Sequence, residues 1–473
     1  MTKSIAVIGG GIAGLSAAAL LARDGYHVTV FERHDSVGGR AGSWERDGFR
    51  FDTGPSWYLM PEVFDHFFRL MGTSSEEQLT LDLLDPGYRV LFEPIDSESA
   101  EVLDIRADRA ANEAIFESVE PGAGRALSAY LDSAREVYEL AKEHFLYTSF
   151  EKYGMFRHPD VLKRAGKLVN LLTVPLSKFA AKRVRNPRLQ QVLGYPAVFL
   201  GSSPYLTPAM YHLMSYLDLE DGVLYPQGGF TSVIERIRAV AESAGVTIAT
   251  GADVTEIVTE PASGDWSARA TGIRYRDADG EHRVDADLVV SGADLHFTET
   301  KLLPSNLQTY PESYWQKRVP GPSAVLLYLG VRGEVPELLH HTLLFTNDWR
   351  QNFGDIFGAE TKIPDPASIY VCRPSATDGN VAPKGDTNLF VLVPVPADPG
   401  IGHGGIDGAG DPLVESVADR VIEQIAQWAG VPDLAERIVV RRTVGPADFV
   451  TDLNSWRGSA LGPSHVLKQS AFF

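Results

Sequence analysis

Gly9, Gly11 and Gly14 stand at G-x-G-x-x-G spacing, and the carboxylate of Glu32 follows farther along the chain. In such a motif the first glycine permits a tight turn, the second lets backbone approach a pyrophosphate, and the third lets a helix pack closely on a strand. Phosphate then meets the amides and dipole of the helix start, and the acid accepts hydrogen bonds from ribose hydroxyls. The chemistry requires a strand before the glycines, a helix after them and a second strand ending at the acid. The sequence provides all three: apolar Ser4 to Ile8, alanine-rich Leu15 to Asp24, and apolar His27 to Phe31. This is one βαβ unit with dinucleotide-binding chemistry.

Further groups extend the constellation. Arg33 follows Glu32, and Gly38-Gly39-Arg40 offers a second backbone approach with a guanidinium fork for the far side of a diphosphate. A plain Gly-Gly turn is the alternative. Phe51-Asp52-Thr53-Gly54-Pro55-Ser56 supplies a tight turn with hydroxyls, placed as an expectation near the flavin end of the cofactor. Tyr225-Pro226-Gln227-Gly228-Gly229 opens a helix near Phe230, where free amides would stabilise an anionic or carbonyl group unless the turn is purely structural. These residues by themselves leave FAD and NAD both open.

The paired His340 and His341 are candidates for a catalytic base; structural or surface histidines are the alternative, because geometry defines a base before residue type does. Cys372 is the single cysteine, so one chain can form neither an internal disulfide nor a thiolate metal cluster, and no metal is expected. Phe199, Tyr205, Tyr211 and Tyr216 would line an apolar tunnel or else form ordinary core.

The 473 residues suit two domains, and a formal charge of −19 argues against a general nucleic-acid binder. No uninterrupted apolar run reaches the ~18 residues of a spanning helix, and the glycines after Ile8 do not fit an export signal. From 161 to 217 the acidic balance inverts, with eight Lys or Arg and no Asp or Glu. Lys163, Arg164, Lys167, Lys178, Lys182, Arg183, Arg185 and Arg188 flank the mostly apolar Leu168 to Leu176, a layout suited to an interfacial segment on anionic lipid. A solvated basic face is the alternative.

Along the chain, Pro61 to about Glu220 reads as mostly helical, with breaks at Pro86, Pro121, Pro175 and Pro187. Strands are expected at Gly245 to Thr250, Val254 to Val258, Gly272 to Arg276, Asp287 to Ser291, Ala324 to Val331 and Leu389 to Val393, and a helix near Leu413 to Trp428.

Later strings carry a resemblance: Leu339-His340-His341-Thr342 with Asp355-Ile356-Phe357, Ala382-Pro383-Lys384-Gly385 with Leu392-Val393-Pro394-Val395-Pro396, and Leu453-Asn454-Ser455-Trp456-Arg457-Gly458-Ser459-Ala460 before Gln469-Ser470-Ala471-Phe472. Over essentially its whole length the chain resembles the bacterial-type phytoene desaturases, in the carotenoid desaturase branch of the flavin amine oxidase-like superfamily. The resemblance implies an α/β fold: a Rossmann-like FAD domain in pieces, 1–60 and 221–300, with Val254 at an adenine-contacting backbone position. An α+β substrate domain with a membrane-associating helical part would comprise 61–220 and 301–473.

The resemblance also implies an FAD-dependent dehydrogenation of a long carotenoid hydrocarbon, phytoene towards neurosporene or lycopene. An allylic hydride would pass to flavin and a neighbouring proton would be lost. Quinone or oxygen would accept the electrons, and the enzyme would be cytoplasmic, attached peripherally to the inner face of the cell membrane. A diapocarotenoid desaturase, a 3,4-desaturase, a carotenoid isomerase and a non-catalytic carotenoid-binding relative are the alternatives. Family members continue past the Gln-Ser-Ala-aromatic string into a glycine-rich turn that completes the FAD domain. The expectation is therefore that the chain as written is a fragment or a trimmed form that binds FAD weakly or not at all.

Overall fold

The computed structural model describes residues 2–95, 99–148, 158–262 and 268–469. Its first half is organised by a four-stranded parallel sheet in the order Leu288–Ser291, Ser4–Ile8, His27–Phe31, Thr247–Ala249. Ser4–Ile8 pairs in parallel with both neighbours, Ile8 opposite Phe31 on one side and Ser291 on the other. The helix Ile12–Arg23 turns Gly14, Leu15, Ala18, Ala19 and Ala22 inward. Small side chains along that stripe let the helix lie close to the strands, which keeps its start at their carboxyl ends. A three-stranded antiparallel sheet of Asp253–Pro261, Ala268–Asp277 and Gly280–Asp285 follows, its last hairpin turning at Ala278-Asp279.

The other half rests on a seven-stranded mixed sheet: Ile438–Val444, Ser323–Val331, Thr387–Val395, Ile369–Cys372, His341–Phe345, Tyr88–Phe92, Val102–Ile105. Ser323–Val331 is buried along its entire length, as expected of a central strand covered on both faces. The helix Pro412–Ala429 packs Val414, Val417, Val421 and Ile425 into the core on one side of this sheet. Helices from 109 to 199 pack on the other, around Tyr130, Leu131 and Leu193.

The expectation of a mostly helical 61 to 220 holds among the described residues, with an addition that the sequence did not show. Three strands lie there, Leu81–Leu83, Tyr88–Phe92 and Val102–Ile105. Tyr88 and Val90 join the core formed with the helices, whereas Leu91 joins the core beneath Pro412–Ala429. Alternate residues thus serve opposite faces, the two-residue period of a strand. The Gly280–Asp285 strand was likewise absent from the sequence reading; its alternating exposed and half-buried polar residues carry no apolar run.

No helix of the described residues is long and apolar enough to cross a membrane. The basic stretch folds into short helices, Pro159–Lys163, Ala165–Thr173, Leu176–Ala181 and Pro187–Gly194. Leu171 and Leu176 are buried, so part of the apolar run serves the core, while Leu162 and Val169 stand 57% and 59% exposed.

Candidate functional site

One cleft opens at the carboxyl ends of the parallel strands. Gly9, Gly11, Glu32, Arg33, Gly39, Arg40, Pro55 and Val254 all line it. The glycine turn is shaped for backbone approach: Gly9 has φ +90°, and a side chain at Gly39 (φ +57°) would meet Gly11 Cα at 3.4 Å. Gly38 donates to Gly10 O at 2.9 Å, so the two loops lie backbone against backbone. Gly11 caps the helix Ile12–Arg23 without any side-chain bond, and its first turn holds no acidic residue. The amides there are free for an anion. A narrow glycine cradle, an unfilled helix start and an acid at the next strand end together fit a dinucleotide such as FAD.

Glu32 is only 5% exposed and already holds two backbone amides, Gly10 N at 2.7 Å and His34 N at 3.0 Å. Its carboxylate therefore shapes the glycine loop as well as offering its remaining lone pairs to the cleft. Arg40 reaches elsewhere than a diphosphate: its Nε donates to Ala460 O at 3.1 Å, and a terminal nitrogen lies 3.3 Å from Ser455 Oγ.

Gly14, Gly54 and Ser56 stand behind the lining. A Cβ at Gly14 would come 2.0 Å from Gly9 O, and one at Gly54 1.9 Å from Arg40 O, so both glycines serve close chain packing. Ser56 Oγ lies 2.7 Å from Tyr370 OH, which turns it away from the cleft. The second glycine-led helix start is filled from within. Phe230 N and Thr231 N donate to Asp52 at 2.7 and 3.1 Å, and Gly228 N donates to Asp378 at 2.8 Å. Those amides are thus taken by the protein's own carboxylates, and the turn is structural.

His340 and His341 lie at the start of the strand His341–Phe345, in the other half of the molecule. Both are buried, and burial depresses both imidazoles, His340 to about 3 and His341 well below the ordinary value. His340 Nδ1 meets Thr377 Oγ1 at 2.7 Å; His341 Nδ1 meets Tyr370 OH at 2.7 Å. Trp57, adjacent to Ser56, stacks on His341 with ring centroids 4.6 Å apart, and also contacts Tyr88, Tyr195, Phe199 and Tyr370. Tyr88 and Tyr195 both donate to the buried Asp218, whose carboxyl is pushed up to about 7 by desolvation.

The sequence reading missed part of the cleft wall: Asp253, Gly292, Asp294, Phe297 and Asp452 to Asn454. Leu453 and Asn454 head the Leu453-Asn454-Ser455-Trp456 string already singled out, and Asp452 immediately precedes it; the string was a signal of likeness and not of position. Of the final string, Ser470, Ala471 and Phe472 lie outside the described residues.

The family described as flavin containing amine oxidoreductase matches residues 12–468. The chain is 39% identical to a carotenoid 3,4-desaturase of Haloarcula japonica over 99% of its own length and 90% of the relative's. It is 33% identical to a zeta-carotene-forming phytoene desaturase of Myxococcus xanthus, covering 99% of this chain and 85% of that one. A solved oxidoreductase from Methanosarcina mazei shares the fold, with a TM-score of 0.55 at 17% identity over 93% of this chain and 88% of the other. A family match along nearly the whole chain, together with relatives above 30% identity across most of their length, shows that it belongs to the flavin-containing amine oxidoreductases, within their carotenoid desaturase branch, and is an FAD-dependent oxidoreductase.

Proposed function

We propose that this chain removes hydrogen from a CH–CH unit of a long carotenoid hydrocarbon, extending its conjugation. The observation that carries the proposal is the pairing of a dinucleotide cleft with an apolar aromatic cluster, joined through the single turn Gly54-Pro55-Ser56-Trp57. FAD, when bound, supplies the hydride acceptor that no side chain provides. Gly9, Gly11, Glu32, Arg33, Gly39, Pro55 and Val254 would hold it directly, with Gly14, Arg40, Gly54 and Ser56 supporting those contacts. In this reading 1–60 and 221–300 form the cofactor domain and 61–220 with 301–473 the substrate domain. The aromatic cluster would position the hydrocarbon and keep water from the reacting carbons.

Two substrates fit the relatives. Phytoene is the expected one; the 39% identity to a relative named carotenoid 3,4-desaturase favours an already conjugated carotenoid as the second. Anaerobic mixing of flavin-loaded protein with each compound tests both. Bleaching of the flavin band by phytoene, with a new polyene spectrum, supports the first; bleaching only by the conjugated carotenoid supports the second. Bleaching by neither overturns the proposal.

Because the substrate is a bilayer-soluble hydrocarbon, we also propose peripheral docking through 161–217, with quinone or oxygen as electron acceptor. Arg164 and Lys167 pair with Glu136, and Arg188 with Glu101, so part of the positive charge is neutralised from outside the stretch. Lys163, Lys178 and Lys182 are exposed, and among the described residues no acidic side chain pairs with them. Flotation with anionic liposomes that survives reversal of Lys163, Lys178 and Lys182 to Glu would remove this surface from the proposal.

A further inference from the structure

Three residues from separate segments form a part-buried polar chain that ends on the buried His341 and that cofactor binding does not explain. Ser56 Oγ lies 2.7 Å from Tyr370 OH, and Tyr370 OH lies 2.7 Å from His341 Nδ1. The other ring nitrogen of His341, Nε2, has no hydrogen-bond partner although the residue is 0% exposed. Trp57 covers the imidazole in a stack of 17° and touches Phe199, which is 37% exposed. Aromatic surface therefore runs from the outside of the molecule to the imidazole.

The hydrogens of this chain can be arranged in two ways. In one, Ser56 donates to Tyr370 and Tyr370 donates to Nδ1, which leaves a buried Nε2–H with nothing to accept it. In the other, Nδ1–H donates to the Tyr370 oxygen and Tyr370 donates to Ser56, which leaves a bare lone pair on Nε2. An orphaned buried donor is rarer than an under-satisfied acceptor, so the second arrangement is favoured. Burial also keeps the imidazole neutral. A neutral ring with a free lone pair beside an apolar surface is a base without a buried charge of its own.

We infer that His341 Nε2 takes the proton released in the dehydrogenation, with Tyr370 and Ser56 as positioning residues that hold the Nδ1–H tautomer; this rests on the desaturase reading above. FAD, when bound, would accept the hydride, with its electron pair, from one substrate carbon. The adjacent carbon loses a proton to Nε2, and the electron pair of that C–H bond becomes the new π bond. The Nδ1 proton then passes to the Tyr370 oxygen as the Tyr370 proton moves to Ser56 Oγ, whose own proton passes to solvent water at the exposed Pro55 turn. His340 also has an unpartnered Nε2, but it lies outside the Ser56–Tyr370 chain: its Nδ1 meets Thr377, and its ring packs on Tyr225 at 4.5 Å, whose hydroxyl donates to Asp378. Cys372, with its thiol pushed up to about 12 by burial, is not a competing base.

The test begins without substrate. In protein labelled with ¹⁵N-histidine, long-range ¹H–¹⁵N spectra, with the His341 signal identified by its loss in His341→Gln, should show the neutral Nδ1–H tautomer. Tyr370→Phe should move it towards Nε2–H. In stopped-flow reduction of the flavin-loaded enzyme, His341→Gln should slow anaerobic bleaching about 100-fold or more, with flavin content unchanged. Tyr370→Phe should slow it about 10-fold, and it provides the kinetic arm should His341→Gln not fold. An Nε2–H or doubly protonated His341 in the wild type, or reduction at wild-type rate in either variant, would overturn the assignment. So would a stoichiometric metal ion, because ligand atoms of His340, His341 and Cys372 lie within 4.8 Å of one another and an ion there would compete for the His341 imidazole. A wild type that no carotenoid reduces sinks the desaturase reading instead, and the tautomer measurement then decides alone whether His341 is a free base.

Discussion

Two of the helix starts that the chain builds from glycine, at Gly11 and Gly228, are used oppositely. At Gly11 the helix Ile12–Arg23 opens with no side-chain cap and no acid in its first turn. At Gly228 the helix Gly229–Ser243 meets Asp52, which accepts from Phe230 N, Thr231 N and Thr231 Oγ1. Both termini carry the roughly half positive charge of a helix dipole. Only the first leaves it unanswered by the protein, so only the first is free to receive a phosphate. A glycine-rich helix start is therefore a binding site only where no carboxylate of the same chain has reached it first.

Gly14→Ala should have the largest effect, because its Cβ would sit 2.0 Å from Gly9 O and force helix and strand apart. A cost of about 3 kcal/mol or more is expected from overpacking against backbone. Purified protein should carry no flavin absorbance and should unfold at markedly lower denaturant. Flavin content equal to wild type would mean that the open helix start tolerates displacement.

Asp52→Ala comes next, since it removes the filling of the second helix start and leaves two amides without their acceptor. About 2 kcal/mol of stability should be lost, read from denaturant midpoints. The pH dependence separates capping from charge. Desolvation raises the Asp52 carboxyl above its ordinary value, against hydrogen bonds from Thr231 and Phe230 that lower it. A raised carboxyl contributes stability that is fully present below the ordinary carboxylate range and is lost as pH rises through the raised value. The gap between wild type and Asp52→Asn should accordingly narrow from acid towards neutral pH. A gap that widens would show that the ionised carboxylate is the better cap.

The same contrast explains what the sequence made legible. The βαβ unit declared itself because its signals are local: an apolar run, glycines and an acid within one stretch, from Ser4 to Glu32. Asp52 did not, because its partners Phe230 and Thr231 are distant in sequence, and an acid in a strand-to-turn junction carries no mark of what it will cap. Tyr88–Phe92 was missed for a related reason: a short run carries too few periods to tell strand from helix. The Ser56–Tyr370–His341 chain is assembled by three separate segments, so the paired histidines were visible and their hydrogen bonds were not. The basic stretch was read without Glu101 and Glu136, which neutralise part of it from other segments.

Glu32→Ala should act mainly on the open helix start. Its carboxylate fixes Gly10 N and His34 N and in the proposed role also accepts from ribose. Loss of charge-assisted hydrogen bonds is expected to weaken flavin binding by roughly 1.5 to 3 kcal/mol. Equilibrium dialysis would measure it, and unchanged flavin retention would remove Glu32 from the site.

Arg40→Ala should have the smallest effect of the four, and an indirect one. The sequence suggests a guanidinium clamped on diphosphate, from which a loss comparable to that of Glu32 would follow. The structure instead directs Arg40 to Ala460 O and Ser455 Oγ, beside the Asp452 to Asn454 segment that walls the cleft. Neutral acceptors make these bonds modest, so about 1 kcal/mol of flavin affinity is expected to go. The loss should appear as faster flavin release, because what is weakened is the wall and not the phosphate contact. Arg40→Lys discriminates: a lysine retains the charge but not the fork that spans two acceptors. If the guanidinium works by bridging to 455–460, Lys should behave like Ala. If it works as a positive charge on diphosphate, Lys should retain most of the affinity, and a salt-dependent affinity difference between wild type and Ala should accompany it.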